Sequence, residues 1–223
     1  MGDGIHVATR RTSATNIKDI VSIVELGTNI GATANTYPYF MHCFTQGGAI
    51  DAGILFKNNV WLLYSYGTIN ETNNWKEQQC SGFSAGNTVQ ISTRVSGTAN
   101  QLIVEAKKVG SSTNNVLTVN LTAARANSLR NSGSEAAREM NIASHLGNIN
   151  NEAAFFSWSR FVESSVTNVS NVTVKVTTSN SSLDAVRFDI QGLSRPNLGY
   201  GRDNPTTVSG YVVDRAWCRC NNQ

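Results

Sequence analysis

Hydrophobic and polar residues alternate along much of this chain, and this two-residue period is typical of half-buried β-strands. The clearest case begins at Ile54 and Phe56, breaks at Asn58 and Asn59, and resumes at Val60. Asparagine tolerates the positive φ of a tight turn, so this stretch predicts a β-hairpin. The other predicted strands lie near residues 4–9, 17–26, 36–46, 50–57, 60–67, 87–95, 100–109, 115–120, 153–163, 167–178, 184–191 and 207–217.

The order of these segments is strand after strand with short connections, which leaves little room for crossover helices. It predicts an all-β fold, an antiparallel β-sandwich of jelly-roll or concanavalin A-like type. At 223 residues, one sandwich domain can account for residues 1–223. Residues 121–142 are rich in helix formers and predict one or two short helices before residue 135, with a strand after residue 136. Residues 195–204 are predicted to form a long ordered loop.

Composition narrows the class of protein. Only 15% of residues are charged and the net charge is +3 without a basic stripe, so duplex nucleic acid is not an expected partner. No apolar run approaches the roughly 20 residues that cross a bilayer. A surface rich in Asn, Ser and Thr suits an extracellular protein. The first residues lack the blocks of a signal peptide, so a secreted protein would here be a processed form with an added Met1.

Cysteine spacing predicts disulfide bonds. Cys218 and Cys220 are too close for an unstrained bond to each other, so each is expected to pair with Cys43 or Cys80 and to tie the segment from about residue 195 to residue 223 back to the fold. Free thiols and a metal site are the alternatives. The usual zinc-ligand spacings are absent, and no cofactor is expected.

A resemblance to a known family is carried by two groups of residues in the first half of the chain and by a weaker group further on. They are Asp51, Gly53, Phe56, Asn59, Val60, Trp61 and Tyr64; Gly82, Phe83, Gly86, Thr88, Val89 and Gln90; and Val166, Thr167, Asn168, Val172, Thr173 and Val174. Over about residues 35–178 the chain resembles the YrpD-type family of secreted Bacillus proteins. The resemblance implies a secreted concanavalin-like sandwich of unsettled activity. The four cysteines and the longer C-terminal segment depart from that family.

No catalytic motif is found in the sequence. The Glu-x-Asp-x-Glu strings of sandwich glycosidases are missing, and Asp184 and Asp189 are expected on opposite faces of a strand, although a carboxylate pair could come from different strands. His42 is interpreted as a structural histidine, whereas His6 and His145 are expected to be solvated. Residues of the types that polysaccharide lyases use are present without the lyase strand motifs; they are His42, Tyr64, Tyr66, Gln90, Arg94 and Arg160.

Aromatic residues are the remaining candidates for binding. Tyr64 and Tyr66 share one strand face, Trp158 and Arg160 share another, and Trp75 lies in a polar loop. Sugars stack on such rings, so these five residues predict a noncatalytic protein that binds polysaccharide or cell-surface glycan. Trp61 and Phe156 are expected in the core, and Trp158 could be there as well. The alternatives are a structural matrix or filament protein, with self-association through strand edges, and a lyase or hydrolase with a dispersed site.

Overall fold

The computed structural model describes residues 4–44, 50–69, 72–73, 75–144, 149, 153–189 and 198–220. Within these ranges the chain forms strands and one helix. In chain order they are β1 (Gly4–Thr12), β2 (Ile17–Glu25), β3 (Ile30–Gly31), β4 (Thr36–Phe44), β5 (Ile50–Lys57), β6 (Val60–Ile69), β7 (Thr72–Asn73), β8 (Lys76–Gln79), β9 (Thr88–Val95), β10 (Gln101–Lys108), β11 (Asn115–Asn120), α1 (Ala123–Asn131), β12 (Ala136–Ser144), β13 (Phe155–Asn168), β14 (Thr173–Lys175), β15 (Ser181–Leu183), β16 (Arg187–Asp189), β17 (Leu198–Arg202), β18 (Thr206–Val208) and β19 (Tyr211–Cys220).

The strands form two large antiparallel sheets, which confirms the predicted sandwich. The first sheet has the order β15-β1-β12-β4-β5-β6-β7, with β16 beside β1 and β8 beside β6. The second has the order β11-β10-β9-β2-β13-β19-β17, with β3 and β14 along β13 and β18 along β19. The two strands predicted at 153–163 and 167–178 are instead the long strand β13 followed by the short strand β14.

The main hydrophobic core lies between the facing sides of the two sheets. Phe40 of the first sheet meets Phe156 of the second with ring centroids 5.5 Å apart. Trp61 packs against Phe40 and Phe83, so the core positions predicted for Trp61 and Phe156 are confirmed. Each fully buried aromatic side chain of this kind contributes about 2–3 kcal/mol of transfer free energy.

Two local predictions are confirmed and one is wrong. Asn58 and Asn59 both have positive φ at the β5–β6 hairpin, as expected for a type I′ turn. Thr122 caps α1 by accepting a hydrogen bond from the backbone N–H of Arg125, and β12 follows the helix as predicted. Residues 198–202, predicted as loop, form β17, because their backbone pairs with β19.

The predicted disulfides are wrong. Cys43, Cys80, Cys218 and Cys220 are all buried, and none of the four forms a disulfide bond. Cys43 lies on the side of the first sheet that faces away from the core, whereas the other three pack into the core between the sheets. Backbone pairing of β19 with β13 and β17 holds the C-terminal segment instead. Burial raises the pKa of the Cys80 thiol to about 12, so this group is an unreactive thiol at neutral pH.

A chain of polar side chains crosses the core between the sheets. His42 contacts the hydroxyls of Thr93 at 3.0 Å and Ser22 at 2.9 Å. The Ser22 hydroxyl lies 2.7 Å from that of Ser164, which accepts a hydrogen bond from Arg138. Burial and the charge of Arg138 lower the pKa of His42 to about 3. His42 is therefore a neutral, hydrogen-bonded structural histidine, as interpreted from the sequence.

The same polar layer contains buried charges. Arg10 donates two hydrogen bonds to the carboxylate of Asp214, at 2.6 and 2.7 Å, and Arg138 donates a third at 2.7 Å. All three side chains are buried. Two cations therefore share one anion between the sheets.

Candidate functional site

The first sheet carries a second buried layer on the face that points away from the core, here called the outer face. Tyr39, Met41 and Cys43 of β4 alternate with the core residues of that strand and belong to a separate hydrophobic cluster. The burial pattern of β4 is accordingly continuous, without the alternation of a half-exposed strand. Polar side chains on this face are thus removed from water, which magnifies their electrostatic interactions.

Strand register defines which residues lie side by side on the outer face. Antiparallel pairing places Thr9, Glu139, Met41, Gly53 and Tyr64 in one row across β1, β12, β4, β5 and β6. A neighbouring row contains Ala137, Cys43, Asp51 and Tyr66, and the row on the other side contains His6, Asn141, Tyr39, Leu55 and Leu62.

Close approach of β4 to β5 depends on Gly53 in the first of these rows. A Cβ atom at Gly53 would lie 2.3 Å from the backbone oxygen of Phe40 and 2.8 Å from Cα of Met41. Glycine is required there because a larger residue would push the two strands apart.

Glu139 is a buried carboxylate surrounded by donors. It lies in hydrogen-bond contact with Nδ1 of His6, accepts from the hydroxyl of Thr9 at 2.8 Å, and accepts from the amide of Asn141 at 2.5 Å. Burial by itself would raise the pKa of Glu139, but the hydrogen bonds from His6, Asn141 and Thr9 outweigh it and hold the pKa below its ordinary value. Glu139 is therefore ionised under mildly acidic conditions.

Asp51 is the second buried carboxylate of the outer face, at 4% exposure against 2% for Glu139. It stands opposite Cys43, one strand away from β12. Burial raises the pKa of Asp51 to about 6, a hydrogen bond with Cys43 opposes the shift, and the negative charge of Glu139 adds to it. Below about pH 6, Asp51 is protonated while Glu139 remains ionised.

His6 also belongs to this cluster, so the expectation that it is solvated is wrong. It is 4% exposed and contacts Glu139. Arg187 of β16 approaches its ring, with Nη2 3.1 Å from Nε2 and 3.3 Å from Nδ1. His145 lies outside the described residues.

One polar atom at the site has no hydrogen-bond partner. The side-chain oxygen of Asn141 is buried and unpartnered in the described part of the chain, while its amide donates to Glu139. An unsatisfied buried acceptor costs about 1–3 kcal/mol, so this oxygen is suited to accept a hydrogen bond from a ligand or water.

The five residues predicted to bind a ligand fall into two groups on different sheets. Tyr64 stacks on Trp75 at 5.3 Å with an interplanar angle of 23°, and Tyr66 packs against the same indole. These three rings lie on the same outer face as Asp51 and Glu139, and Tyr66 is the strand partner of Asp51. Tyr64 itself is buried, and Trp75 is half-buried rather than free in a loop.

Trp158 and Arg160 lie on the exposed side of the second sheet. Trp158 is 40% exposed, which excludes the core position left open by the sequence. Arg215 lies over its ring at 4.3 Å, and Arg160 pairs with Glu25 at 2.6 Å. Both line a cavity of about 740 Å³ that is separate from the outer face of the first sheet.

The lyase-type residues are not brought together either. His42 is between the sheets, and Gln90 and Arg94 belong to β9 of the second sheet, where Arg94 pairs with Glu105. In the described ranges, no group of three His, Cys, Asp or Glu side chains could hold a metal ion. No helix in those ranges is long and apolar enough to span a membrane.

Sequence reasoning missed Asp51, Glu139, His6 and Asn141 as site residues. A signal was present, because Asp51 interrupts an apolar segment and Glu139 and Asn141 are polar positions in a strand flanked by alanines and isoleucine. An ionisable residue in a strand that is buried on both sides is a candidate for function. Asp51 and Glu139 are two buried carboxylates from different strands, and they interact electrostatically.

The architecture is shared with solved structures of peptidases. Scytalido-glutamic peptidase bound to a transition state analog inhibitor aligns over 99% of this chain and 97% of that chain, with 11% sequence identity and a TM-score of 0.50. SCP-B, a member of the eqolisin family of peptidases in complex with the tripeptide Ala-Ile-His, aligns over 99% and 96%, with 10% identity and a TM-score of 0.49. No family model and no curated protein matches the sequence. At such identity the likeness to the first of these structures shows the fold alone.

These comparisons contradict the expectation of a noncatalytic glycan-binding protein. Scytalido-glutamic peptidase, whose fold this chain shares, is a peptidase, and three of the five residues on which that expectation depended lie on the sheet face that carries Asp51 and Glu139. The resemblance to the YrpD-type family is not tested by these comparisons and stays a prediction.

Proposed function

We propose that this protein is an acid-acting peptidase whose acid–base pair is Asp51 and Glu139. The observation that carries the proposal is that two buried carboxylates on one sheet face have pKa values shifted in opposite directions. The pKa of Glu139 is lowered mainly by hydrogen bonds against the effect of burial, and the pKa of Asp51 is raised to about 6 mainly by burial. Two titratable groups whose environments push their pKa values apart are suited to the roles of base and acid.

Hydrolysis of a peptide bond needs both roles. Glu139, as the carboxylate, accepts a proton from a water molecule that attacks the carbonyl carbon. Asp51, as the carboxylic acid, donates a proton to the carbonyl oxygen or to the departing amine. The unpartnered side-chain oxygen of Asn141 can accept the second hydrogen of that water, since it lies beside Glu139.

The choice of a peptide as substrate draws on two supports. One is the shared fold with scytalido-glutamic peptidase. The other is the aromatic cluster of Tyr64, Tyr66 and Trp75 on the sheet face that also carries the carboxylates. Apolar surface accommodates hydrophobic side chains while polar groups fix their orientation.

The test is cleavage of an unfolded protein, such as reduced and alkylated casein, and of a mixed peptide library between pH 3 and pH 8. Activity is expected to rise as the pH falls through about 6, where Asp51 becomes protonated, and to persist until Glu139 is protonated at a pH below the ordinary range of a glutamate. Asp51→Asn and Glu139→Gln should each lower kcat/KM by about 100-fold or more. The matched control is Glu105→Gln, because Glu105 lies on the second sheet in contact with Arg94. Absence of cleavage by the native protein throughout this range, or equal activity of the native protein and both variants, would overturn the proposal.

A further inference from the structure

The ring of His6 contacts the base carboxylate of Glu139 and takes no part in the proton transfers described above. Glu139 lies against Nδ1 of His6 on β1, and Arg187 of β16 lies against the other side of the imidazole. We propose that His6 is a positioning residue, which is held in place by Arg187. His6 donates a hydrogen bond to Glu139 and thereby keeps this carboxylate in its basic, ionised form. This inference rests on the proposed function and names the residue that sets the lowest pH at which the proposed activity persists.

The donors and acceptors at Glu139 show which nitrogen of the His6 ring carries the proton. An ionised carboxylate is acceptor-only, and Glu139 already accepts from Thr9 and from Asn141. Nδ1 of His6 must therefore carry the hydrogen that lies between the ring and Glu139. A reversed imidazole would present Cδ2 to the carboxylate and lose the bond.

Arg187 restrains the orientation of the ring. Its Nη2 atom is nearly equidistant from the two ring nitrogens, at 3.1 and 3.3 Å. A position in the ring plane that is equidistant from both would collide with Cε1, so Nη2 lies over the face of the imidazole. This contact holds the ring in the plane in which Nδ1 points at Glu139.

Other charges around Glu139 do not supply this donor. Asp51 and Arg11 each interact with Glu139 electrostatically. Arg11 donates its hydrogen bond to Asp184 instead, at 2.7 Å. His6 is thus the aromatic nitrogen donor to a carboxylate that burial would otherwise neutralise.

The experiment compares two substitutions at His6. His6→Asn retains an N–H at the same distance along the side chain as Nδ1, and His6→Leu has a similar size and no donor. Carboxyl infrared or carbon NMR titration of Glu139, identified by its loss in Glu139→Gln, gives the protonation state without any need for activity. His6→Leu should raise the pKa of Glu139 by about one unit or more and move the acidic limb of kcat/KM upward by the same amount. His6→Asn should keep both near the native values.

Arg187→Gln provides a second route if His6→Leu fails to fold, because Arg187 is at the surface. Arg187→Gln should also raise the pKa of Glu139, by less than His6→Leu does. An unchanged Glu139 titration in folded His6→Leu, or in Arg187→Gln if His6→Leu does not fold, would overturn the role of His6. A shifted titration in a protein that cleaves no peptide would uphold the role of His6 and reject the proposed peptidase activity.

Discussion

Asp51→Asn is expected to stabilise the protein at neutral pH, although the substitution removes a residue of the proposed site. Asp51 has a folded-state pKa of about 6, above the value of about 3.9 for an unfolded aspartate. The folded protein therefore binds this proton more tightly than the unfolded chain does. The stability that the proton contributes is fully present below about pH 4 and is lost as the pH rises through about 6.

The expected difference in the free energy of unfolding follows from the pKa shift of Asp51. A difference of about two pKa units, at about 1.4 kcal/mol for each unit, corresponds to about 3 kcal/mol. Asparagine is always neutral and can still accept a hydrogen bond from Cys43. The free energy of unfolding of Asp51→Asn should thus exceed that of the native protein by up to about 3 kcal/mol at pH 7 and should equal it near pH 3.

Urea denaturation of both proteins between pH 3 and pH 8 measures this difference. The control is Asp203→Asn, since the pair of Asp203 with Arg215 is about half exposed and exposed pairs contribute roughly 0–1 kcal/mol. A stability difference for Asp51→Asn that does not change with pH would refute the reasoning, as would a variant that is less stable than the native protein at pH 7.

Three further predictions concern the frame of the fold. Asp214→Ala leaves two buried arginines without an anion and should lower the free energy of unfolding by about 3–5 kcal/mol. Arg138→Met leaves the neutral pair of Arg10 and Asp214 and should lower it by less than about 2 kcal/mol. Equal losses in urea denaturation would contradict the assignment of two cations and one anion to this layer. Gly53→Ala, with its Cβ against the Phe40 carbonyl oxygen, should cost more than about 2 kcal/mol, while the control Gly97→Ala, which meets no atom within 4 Å, should stay within about 0.5 kcal/mol of the native protein. All four cysteines should react with a thiol reagent in denaturant without prior reduction, and a smaller number would indicate disulfides.

Periodicity was a good guide where one side of a strand faces water. β10 and β11 alternate between buried and exposed positions, and their predicted bounds agree with the structure within one residue. β12 is different, because all nine of its residues are buried. A strand covered on both faces loses the alternating signal, and α-helix propensity then competes with the correct interpretation of its sequence.

The sequence pattern did not indicate the candidate site, for the same physical reason. Charged residues are ordinarily interpreted as solvent-exposed, since burial of an isolated charge is costly. Asp51 and Glu139 are buried because Cys43, His6, Thr9 and Asn141 hydrogen-bond to them. The two carboxylates and these partners come from four strands, β1, β4, β5 and β12, so strand order and register were needed to bring them together.

Arg138 and Glu139 link the interior of the sandwich to the proposed site. They are consecutive residues of β12, so their side chains point to opposite faces of the first sheet. Arg138 is held between the sheets by Asp214, Ser164 and the backbone oxygen of Val212, and these contacts fix the position of β12 against the second sheet. A slip of one residue would place Glu139 in the core and Arg138 on the outer face, where it would meet the donors that now surround a carboxylate. The buried charges between the sheets thus specify the register that presents Glu139 to His6 and Asp51, and this role explains their presence better than a gain in stability does.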